Sequence, residues 1–567
     1  MQPINDNFLK HYPKNINWFE NIEPKPIYEI LNYAVKNFPE KPAIDFFGTI
    51  ISYKELGELT DKFALGINRL IQQSKVNNSS NQQLKIGIYM PNCPQFVIAY
   101  YAILKAGHIV VNYSPLYSEK ELAYQIDDSD TSTIITLNLN LLYPKAKALL
   151  QKTDLTSNKL KQIIVADFTE YLPFPKNFLF KIFKSKDLAK TEFDNKTQIE
   201  WNEILKLGFD AKENYNAPVN IDETAIIQYT GGTTGTPKGA ELTHKNVYIN
   251  SVQSKIWGAT IPEGEGSVLT ILPLFHVFAM TTAMNFGVLS AYKLILHPRF
   301  DIKQVLKDIH NKKPTAMPGV ATMYNAINNY KDTPKYNLKS LKVCISGGGP
   351  LPLEIKRKFE EISGCKLVEG YGLTESSPVA SCNPVEGLNK EGSIGLPLPQ
   401  TEILIEDIEN RGKFLGINEI GELCIKGPQV MKGYYKRQSA TDEVIVNGIL
   451  RTGDIAKIDE DGYVFITDRL KEMIICGGFK VYPRQVEEAL YQHPAVLECA
   501  VIGIPDDYSG QKVKAVIVLK PNYKAEKDDF INYCKTHLAK HEVPKEVEFR
   551  SSLPKSPVGK ILKKELK

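Results

Sequence analysis

Ala225–Gly239 reads AIIQYTGGTTGTPKG, an apolar run that opens into a loop with four glycines and four threonines and closes on Lys238. A strand entering such a loop presents backbone N–H groups with no side chain in the way. The threonine hydroxyls add donors and Lys238 adds a positive charge, which is how a polyphosphate is cradled. The expected context is strand, loop, then helix. G-x-x-x-x-G-K-[ST] does not align on the loop, so it is not a Walker A. No convincing G-x-G-x-x-G follows a strand elsewhere, which weakens a dinucleotide-binding reading.

Outward from the loop, apolar runs at Lys85–Met90 (KIGIYM) and Thr133–Thr136 (TIIT) alternate with helical patterns at Tyr53–Ile71 and Pro94–Ala106. Further runs lie at Val268–Leu272 and Lys342–Ile345, and Asn77–Gln83 (NNSSNQQ) reads as a loop tip. The alternation predicts an α/β fold of mostly parallel sheets flanked by helices. After about Asp468 the texture changes. A helix at Pro483–Tyr491, strands at Val496–Ile504 and Val513–Leu519, a helix at Lys527–Leu538 and a strand at Glu546–Phe549 predict a separate small α+β domain. The division falls between residues 1–468 and 469–567. The joint, DRLKE, contains no Gly/Ser linker, so motion there would be a hinge of a few residues.

At 567 residues, three or four folding units fit. A net charge of +4 implies no dense basic field, so a nucleic-acid partner is not expected. The eight cysteines form no C-x-x-C pair, and MQPINDNFLK lacks the pattern of a secretory signal; a cytoplasmic protein is expected. Ser267–Tyr292 carries no charge and is long enough to span a bilayer. Pro273, His276, Thr281, Thr282, Asn285 and Gly287 within it favour a buried strand and helix instead.

Six further motifs follow in order: LPLFHVFAM (Leu272–Met280), SGGGPLP (Ser346–Pro352), EGYGLTESSP (Glu369–Pro378), RTGD (Arg451–Asp454), DRLKEMIICGGFKVYP (Asp468–Pro483) and PKSPVGKIL (Pro554–Leu562). Together with the loop they resemble the signatures of the adenylate-forming superfamily, which comprises acyl-CoA synthetases, luciferases and adenylation domains. Within it the chain resembles bacterial long-chain fatty acid–CoA ligases. The resemblance implies a large N-terminal AMP-binding domain with a small β-rich subdomain, and a mobile C-terminal domain carrying a catalytic lysine. It also implies the reaction: a carboxylate attacks the α-phosphate of ATP to give acyl-AMP and pyrophosphate, and the thiol of coenzyme A then displaces AMP.

Bringing an anion against a polyanion requires cations and N–H donors. The resemblance assigns Mg²⁺ to Glu375 with Thr230, and the phosphates to Thr230, Gly231, Gly232, Thr233, Thr234, Gly235, Thr236 and Lys238. Lys560 resembles the lysine that reaches the reacting oxygens during adenylation. Asp454 would accept the ribose hydroxyls with Arg469 beside it. Gly347, Gly348, Gly349, Pro350 and Tyr371 would form the adenine slot, and Glu369, Gly370, Gly372 and Thr374 would also bind the nucleotide. Lys471 occupies the hinge position, and Gly477, Gly478 and Lys480 would face the thiol path after the small domain turns.

Where amino-acid-activating relatives carry an aspartate, this chain has His276, which favours a plain carboxylic acid. Where acetate-specific relatives carry a tryptophan, it has Gly372, read as leaving the pocket floor open to a medium or long acyl chain. His276 would close the channel or orient the carboxyl. Asp167–Lys186 places Phe174, Phe178 and Ile182 on one helical stripe with Lys176, Lys181 and Lys184 alongside. Either the same chain or a partner subunit buries that stripe, or it rests peripherally on a membrane through residues 171–186. A homodimer is left open. The alternatives are an acyl-AMP ligase loading a carrier protein, an aryl- or coumarate-type CoA ligase, and a non-catalytic nucleotide-binding protein.

Overall fold

The apolar runs of the first half become strands of a mostly parallel sheet. In the computed structural model, which describes residues 6–74, 83–151, 159–230, 236–258, 260–506, 509–521, 523–556 and 559–566, its order is Gly433–Tyr434, Gly239–Thr243, Thr224–Tyr229, Ile109–Asn112, Lys85–Tyr89, Thr131–Leu137, Gln162–Ala166 and Gln198–Glu200. From Thr224–Tyr229 to Gln198–Glu200 every neighbour is parallel. Thr224–Tyr229 and Ile109–Asn112 are buried at every residue, as expected of strands covered on both faces. The polar run predicted as a loop tip lies, apart from Gln83, outside the described residues.

A second sheet contains the parallel strands Lys366–Gly372, Val343–Ser346, Ala316–Gly319, Ser267–Thr270, Lys293–Leu296 and Pro42–Phe46, with antiparallel strands at both ends. Helix Pro94–Lys105 is buried along its whole length and packs on helix Tyr53–Ser74 and on strands of the first sheet. A surface apolar apart from Gln95 and Lys105 makes such burial favourable. Lys105 at its end is tolerated because Nζ meets Asp61 Oδ1 at 2.5 Å in the same buried layer.

The uncharged stretch folds as the sequence predicts. Strand Ser267–Thr270 leads to a helical run from Val277 to Leu289, whose middle, Met280–Asn285, is a π-helical turn. Its polar side chains have internal partners. Thr281 Oγ1 donates to the Ser377 carbonyl at 2.7 Å, and Asn285 accepts from Tyr101 at 2.9 Å and donates to Tyr100 at 3.1 Å. Among the described residues no helix is long and apolar enough to cross a membrane.

A third, antiparallel sheet comprises Glu402–Glu406, Gly421–Lys426, Ile449–Ile458, Ile445–Val446 and Val464–Arg469. The chain then enters a small α+β lobe. Helices Pro483–Tyr491 and Lys527–His537 pack on a sheet that includes Val496–Asp506, Gly510–Leu519 and Glu546–Phe549. The apolar clusters separate at the same place. Those of the larger part draw on residues up to Ile466, and those of the lobe begin at Ile474.

The apolar stripe of the aromatic segment is not buried by its own chain, although Phe168 and Leu172 at its start are. Helix Lys176–Phe183 has no buried residue, and Phe174 and Phe183 are 83% and 77% exposed. Phe180 alone turns inward, its ring 5.3 Å from that of Phe168. Lys181 pairs with Asp167 at 3.0 Å, and Lys176 Nζ donates to the Phe47 carbonyl at 3.1 Å. These contacts pin the helix down with its apolar side facing outward.

Candidate active site

The glycine–threonine loop joins two antiparallel strands, not a strand and a helix. Thr224–Tyr229 pairs with Gly239–Thr243, register Tyr229 to Gly239, and helix His244–Gly258 starts only after that return strand. The Thr230 N–H donates to the Lys238 carbonyl at 2.9 Å and closes the loop's neck. Among the described residues the loop therefore leads into a strand and not directly into a helix N-terminus. Gly231, Gly232, Thr233, Thr234 and Gly235 lie outside the described residues; Thr236 is exposed and Lys238 half-buried.

Lys238 reaches toward the EGYGLTESSP motif through Tyr434. Its Nζ sits over the Tyr434 ring, 4.9 Å from the centroid, and the Tyr434 hydroxyl donates to Glu375 Oε1 at 2.7 Å. Burial, then the Glu375 carboxylate, raises the Tyr434 hydroxyl, so it remains a proton donor. Glu375 lies in the single turn Thr374–Ser376, and its carbonyl accepts from Met431 N at 2.8 Å. Tyr434 was not predicted from sequence. A signal exists in KGYYKRQSAT, where the Thr441 hydroxyl accepts from Tyr434 N at 2.9 Å and fixes the turn. A carboxylate oxygen is the kind of hard ligand that Mg²⁺ takes, so Glu375 is a residue that could hold it.

Asp454 is buried on strand Ile449–Ile458, directly opposite Arg469. Its Oδ1 lies 2.9 Å from Arg469 Nε, and its Oδ2 accepts from the Tyr371 hydroxyl at 2.6 Å. Each oxygen keeps a second lone pair for a further donor. The neighbouring motif residues hold this strand. Arg451 makes two bonds to Glu406, at 2.8 and 2.7 Å, and Gly453 N donates to Glu422 at 2.8 Å.

Gly347, Gly348, Gly349 and Pro350 leave the carboxyl end of strand Val343–Ser346, where ligands of open α/β sheets bind. A Cβ on Gly347 would stand 2.8 Å from the Phe278 ring, so glycine is needed for that packing. Gly370, Tyr371, Gly372 and Thr374 line the same crevice. Gly372 lines the cavity without a side chain. A Cβ there would project onto the Pro378 carbonyl oxygen at 2.0 Å, so the close approach of the facing strand excludes a side chain. Glu369 turns away from the crevice, toward the lobe. Its carboxyl is pushed up to about 7 by burial, against the opposing pull of Arg484, which stands 3.6 Å away on the lobe's first helix.

The crevice continues into a cavity of about 840 Å³, counting its open mouth. Trp257, Val277, Phe286, Ala316, Val343 and Leu398 give it apolar walls. His276 sits at the junction. It caps the short helix Val277–Ala279, its Nδ1 accepting from Phe278 N at 3.3 Å, and burial followed by the cation of Lys560 lowers it to about 4. A neutral imidazole thus lines the cavity.

The lobe delivers Lys560 to this junction. The Gly559 carbonyl accepts from Thr322 Oγ1 at 3.3 Å, and Leu497 O accepts from Asn325 at 3.1 Å, so helix Ala321–Asn329 is the lobe's seat. Ser556 N donates to the Lys560 carbonyl at 2.8 Å and closes the tail loop. Burial and then the Arg469 guanidinium lower Lys560 to about 8, with Glu472 and Asp454 pulling the other way. Lys471 lies on the exposed turn after Arg469. Gly477 and Gly478, both at positive φ, form the exposed two-residue turn of the hairpin Ile474–Cys476/Phe479–Val481, with Lys480 exposed beside it. In this lobe orientation they remain on the surface while Lys560 occupies the cleft.

The family AMP-binding enzyme matches residues 31–435, and AMP-binding enzyme C-terminal domain matches residues 485–560. A long-chain-fatty-acid–CoA ligase of Bacillus subtilis (strain 168) is 41% identical, covering 99% of this chain and 97% of its own. One of Salmonella typhimurium is 37% identical over the same shares. The crystal structure of ATP-bound MatB from Rhodopseudomonas palustris superimposes with a TM-score of 0.78 at 25% identity, over 96% of this chain and 98% of that one. The loop, the Asp454–Arg469 pair and the lysine-bearing lobe thus sit in a chain that belongs to the adenylate-forming AMP-binding enzymes.

Proposed function

We propose that this enzyme activates a medium- or long-chain fatty acid with ATP and transfers the acyl group to coenzyme A, giving fatty acyl-CoA, AMP and pyrophosphate. The observation that carries this reading is the gathering of Lys560, Asp454 and Arg469 near neutral His276, which lines an apolar cavity. The full-length relatives named above support the same acid and thiol.

In the first step a carboxylate oxygen of the acid attacks the α-phosphorus, and the bond to pyrophosphate breaks. Lys560 and Arg469 offset the charge that gathers where the two anions meet. Asp454 orients the ribose, the crevice from Gly347 to Thr374 takes the base, and His276 excludes water at the carboxyl end without adding charge. Glu375 and Thr230 would hold Mg²⁺, which when bound neutralises part of the polyphosphate charge. In the second step the sulfur of coenzyme A attacks the acyl carbonyl and AMP leaves. We place the domain division at 468/469 and the hinge at Lys471. Rotation there would withdraw Lys560 and bring Gly477, Gly478 and Lys480 toward the cleft. Pyrophosphate exchange with acids of four to eighteen carbons, followed by coenzyme A consumption, tests the whole reading. Exchange should rise with chain length. Absence of exchange with every acid would overturn the assignment, and exchange without thioester would redirect it to carrier loading.

Helix Lys176–Phe183 supports a second part of the proposal, peripheral contact with an anionic lipid surface where long-chain acids partition. Phe174, Phe178 and Phe183 are exposed, and Lys184 and Lys186 flank them with positive charge. Replacing the three phenylalanines by serine should weaken flotation with phosphatidylglycerol vesicles by about ten-fold per side chain, given about 1.5 kcal/mol for each. Unchanged flotation with unchanged activity would remove membrane contact from the proposal.

A further inference from the structure

Lys560 has a lysine neighbour in the tail that the mechanism above leaves unused. Lys563 opens the final turn Lys563–Leu566, which Leu566 anchors in the lobe's apolar cluster with Ile502, Val516 and Leu553. The Lys563 ammonium lies 2.8 Å from Glu487 Oε1 and 3.2 Å from Glu472 Oε2. Glu487 belongs to helix Pro483–Tyr491 and also accepts from Val501 N at 2.7 Å. Glu472 follows the hinge, and its N–H bonds to the Arg469 carbonyl at 3.0 Å. One side chain thus ties the tail both to the hinge turn and to the lobe's first helix.

The surrounding charges give this tie a second effect. Asp468, Glu472 and Glu487 face Lys563, Lys560 and Arg469 in one partly buried layer. Burial alone would raise Glu472, but Lys563, then Arg469 and Lys560, hold it below the ordinary carboxylate range. Glu487 is raised by burial against the pull of Lys563, so without that cation it would tend to the neutral acid. Glu472 differs: it already faces Lys560, and with Lys563 removed it would be left in a partly dry layer with Lys560 and Arg469 as its remaining cations, drawing the Lys560 ammonium toward it.

We propose that Lys563 is a positioning residue for the adenylation step: by occupying Glu472 it keeps that carboxylate from capturing Lys560, and by its second bond to Glu487 it holds the tail loop against the nucleotide cleft. This inference rests on Lys560 being the adenylating cation. It predicts an effect confined to one half-reaction, because Lys563, Glu472 and Glu487 all follow the hinge residue and would turn with the lobe.

The test uses the full-length enzyme and separates the half-reactions. Lys563→Met should lower pyrophosphate exchange by about ten- to a hundred-fold, the scale of a displaced catalytic group. Thioester formation from supplied acyl-adenylate should stay within about two-fold of wild type. Lys563→Arg should retain exchange. Adding Glu472→Gln and Glu487→Gln to Lys563→Met should restore most of it, since neutral amides cannot draw the ammonium away. Unchanged exchange in Lys563→Met would overturn the proposal, as would equal loss in both half-reactions with a lowered melting temperature. Failure of the double glutamine background to rescue would do the same. Lys560→Ala run alongside distinguishes the cases, because undiminished exchange in that variant would sink the role of Lys560 itself.

Discussion

Lys560→Ala should lower fatty-acid-dependent pyrophosphate exchange by about 10²- to 10³-fold, the cost of removing one preorganised charge from a reacting centre. Conversion of supplied acyl-adenylate to thioester should be nearly unchanged, because the proposed rotation withdraws this residue before the thiol attacks. The same side chain sets an alkaline limit. Burial and Arg469 lower it to about 8, so in the free enzyme its cation is present below that pH and lost above it. Bound polyphosphate favours the cation and moves the limit upward, toward the ordinary lysine value near 10.4. Exchange at low ATP should therefore fall on the alkaline side earlier than exchange at saturating ATP. Equal loss of both half-reactions in Lys560→Ala would contradict the assignment, and a pH profile flat to about 10 at low ATP would contradict the depressed ammonium.

Gly258→Leu should shift the enzyme toward shorter acids. Of the glycines lining the cavity, Gly347 and Gly372 cannot accept a Cβ without collision, whereas a Cβ on Gly258 stands 3.7 Å from the Phe286 ring, an ordinary contact. The Cβ of a leucine meets no collision there, and its branched end would take up apolar volume. Displacing about three methylenes of a long chain, at about 0.8 kcal/mol each, costs about 2.4 kcal/mol, or about fifty-fold in kcat/KM. Acids of six to eight carbons should lose little. An equal loss for short and long acids would show that the acyl chain does not run past Gly258.

The boundaries that sequence periodicity marks best are those of single elements with strong local signals. Helix Pro483–Tyr491 and strand Glu546–Phe549 lie at their expected positions, because a proline at the first helical turn and short apolar alternation are local properties. The loop at Thr230–Gly239 shows what local pattern does not carry. Its return strand, GAELT, is short and holds a glutamate, and its strand form depends on pairing with Thr224–Tyr229 on one side and Gly433–Tyr434 on the other. Tyr434 and Lys563 were missed for a related reason. Their partners Glu375 and Glu487 are distant in sequence, and a tyrosine or lysine alone reads as core or solvated surface. The aromatic helix was legible as a stripe, but its outward face depends on which neighbours the sheet edge leaves uncovered.

The strand Val464–Arg469 stays paired up to the residue opposite Asp454, and Leu470 N is still bonded to Gly453 O at 2.9 Å. Bonds resume at once, from Glu472 N and Met473 N to the Arg469 carbonyl. The lobe is thus mounted on a short axle rather than a tether. Turning it concentrates the change in a few backbone dihedrals, so we expect a small number of discrete stops instead of a cone of orientations. A distance probe between the two parts should then report separate, narrow populations whose weights, not positions, respond to nucleotide.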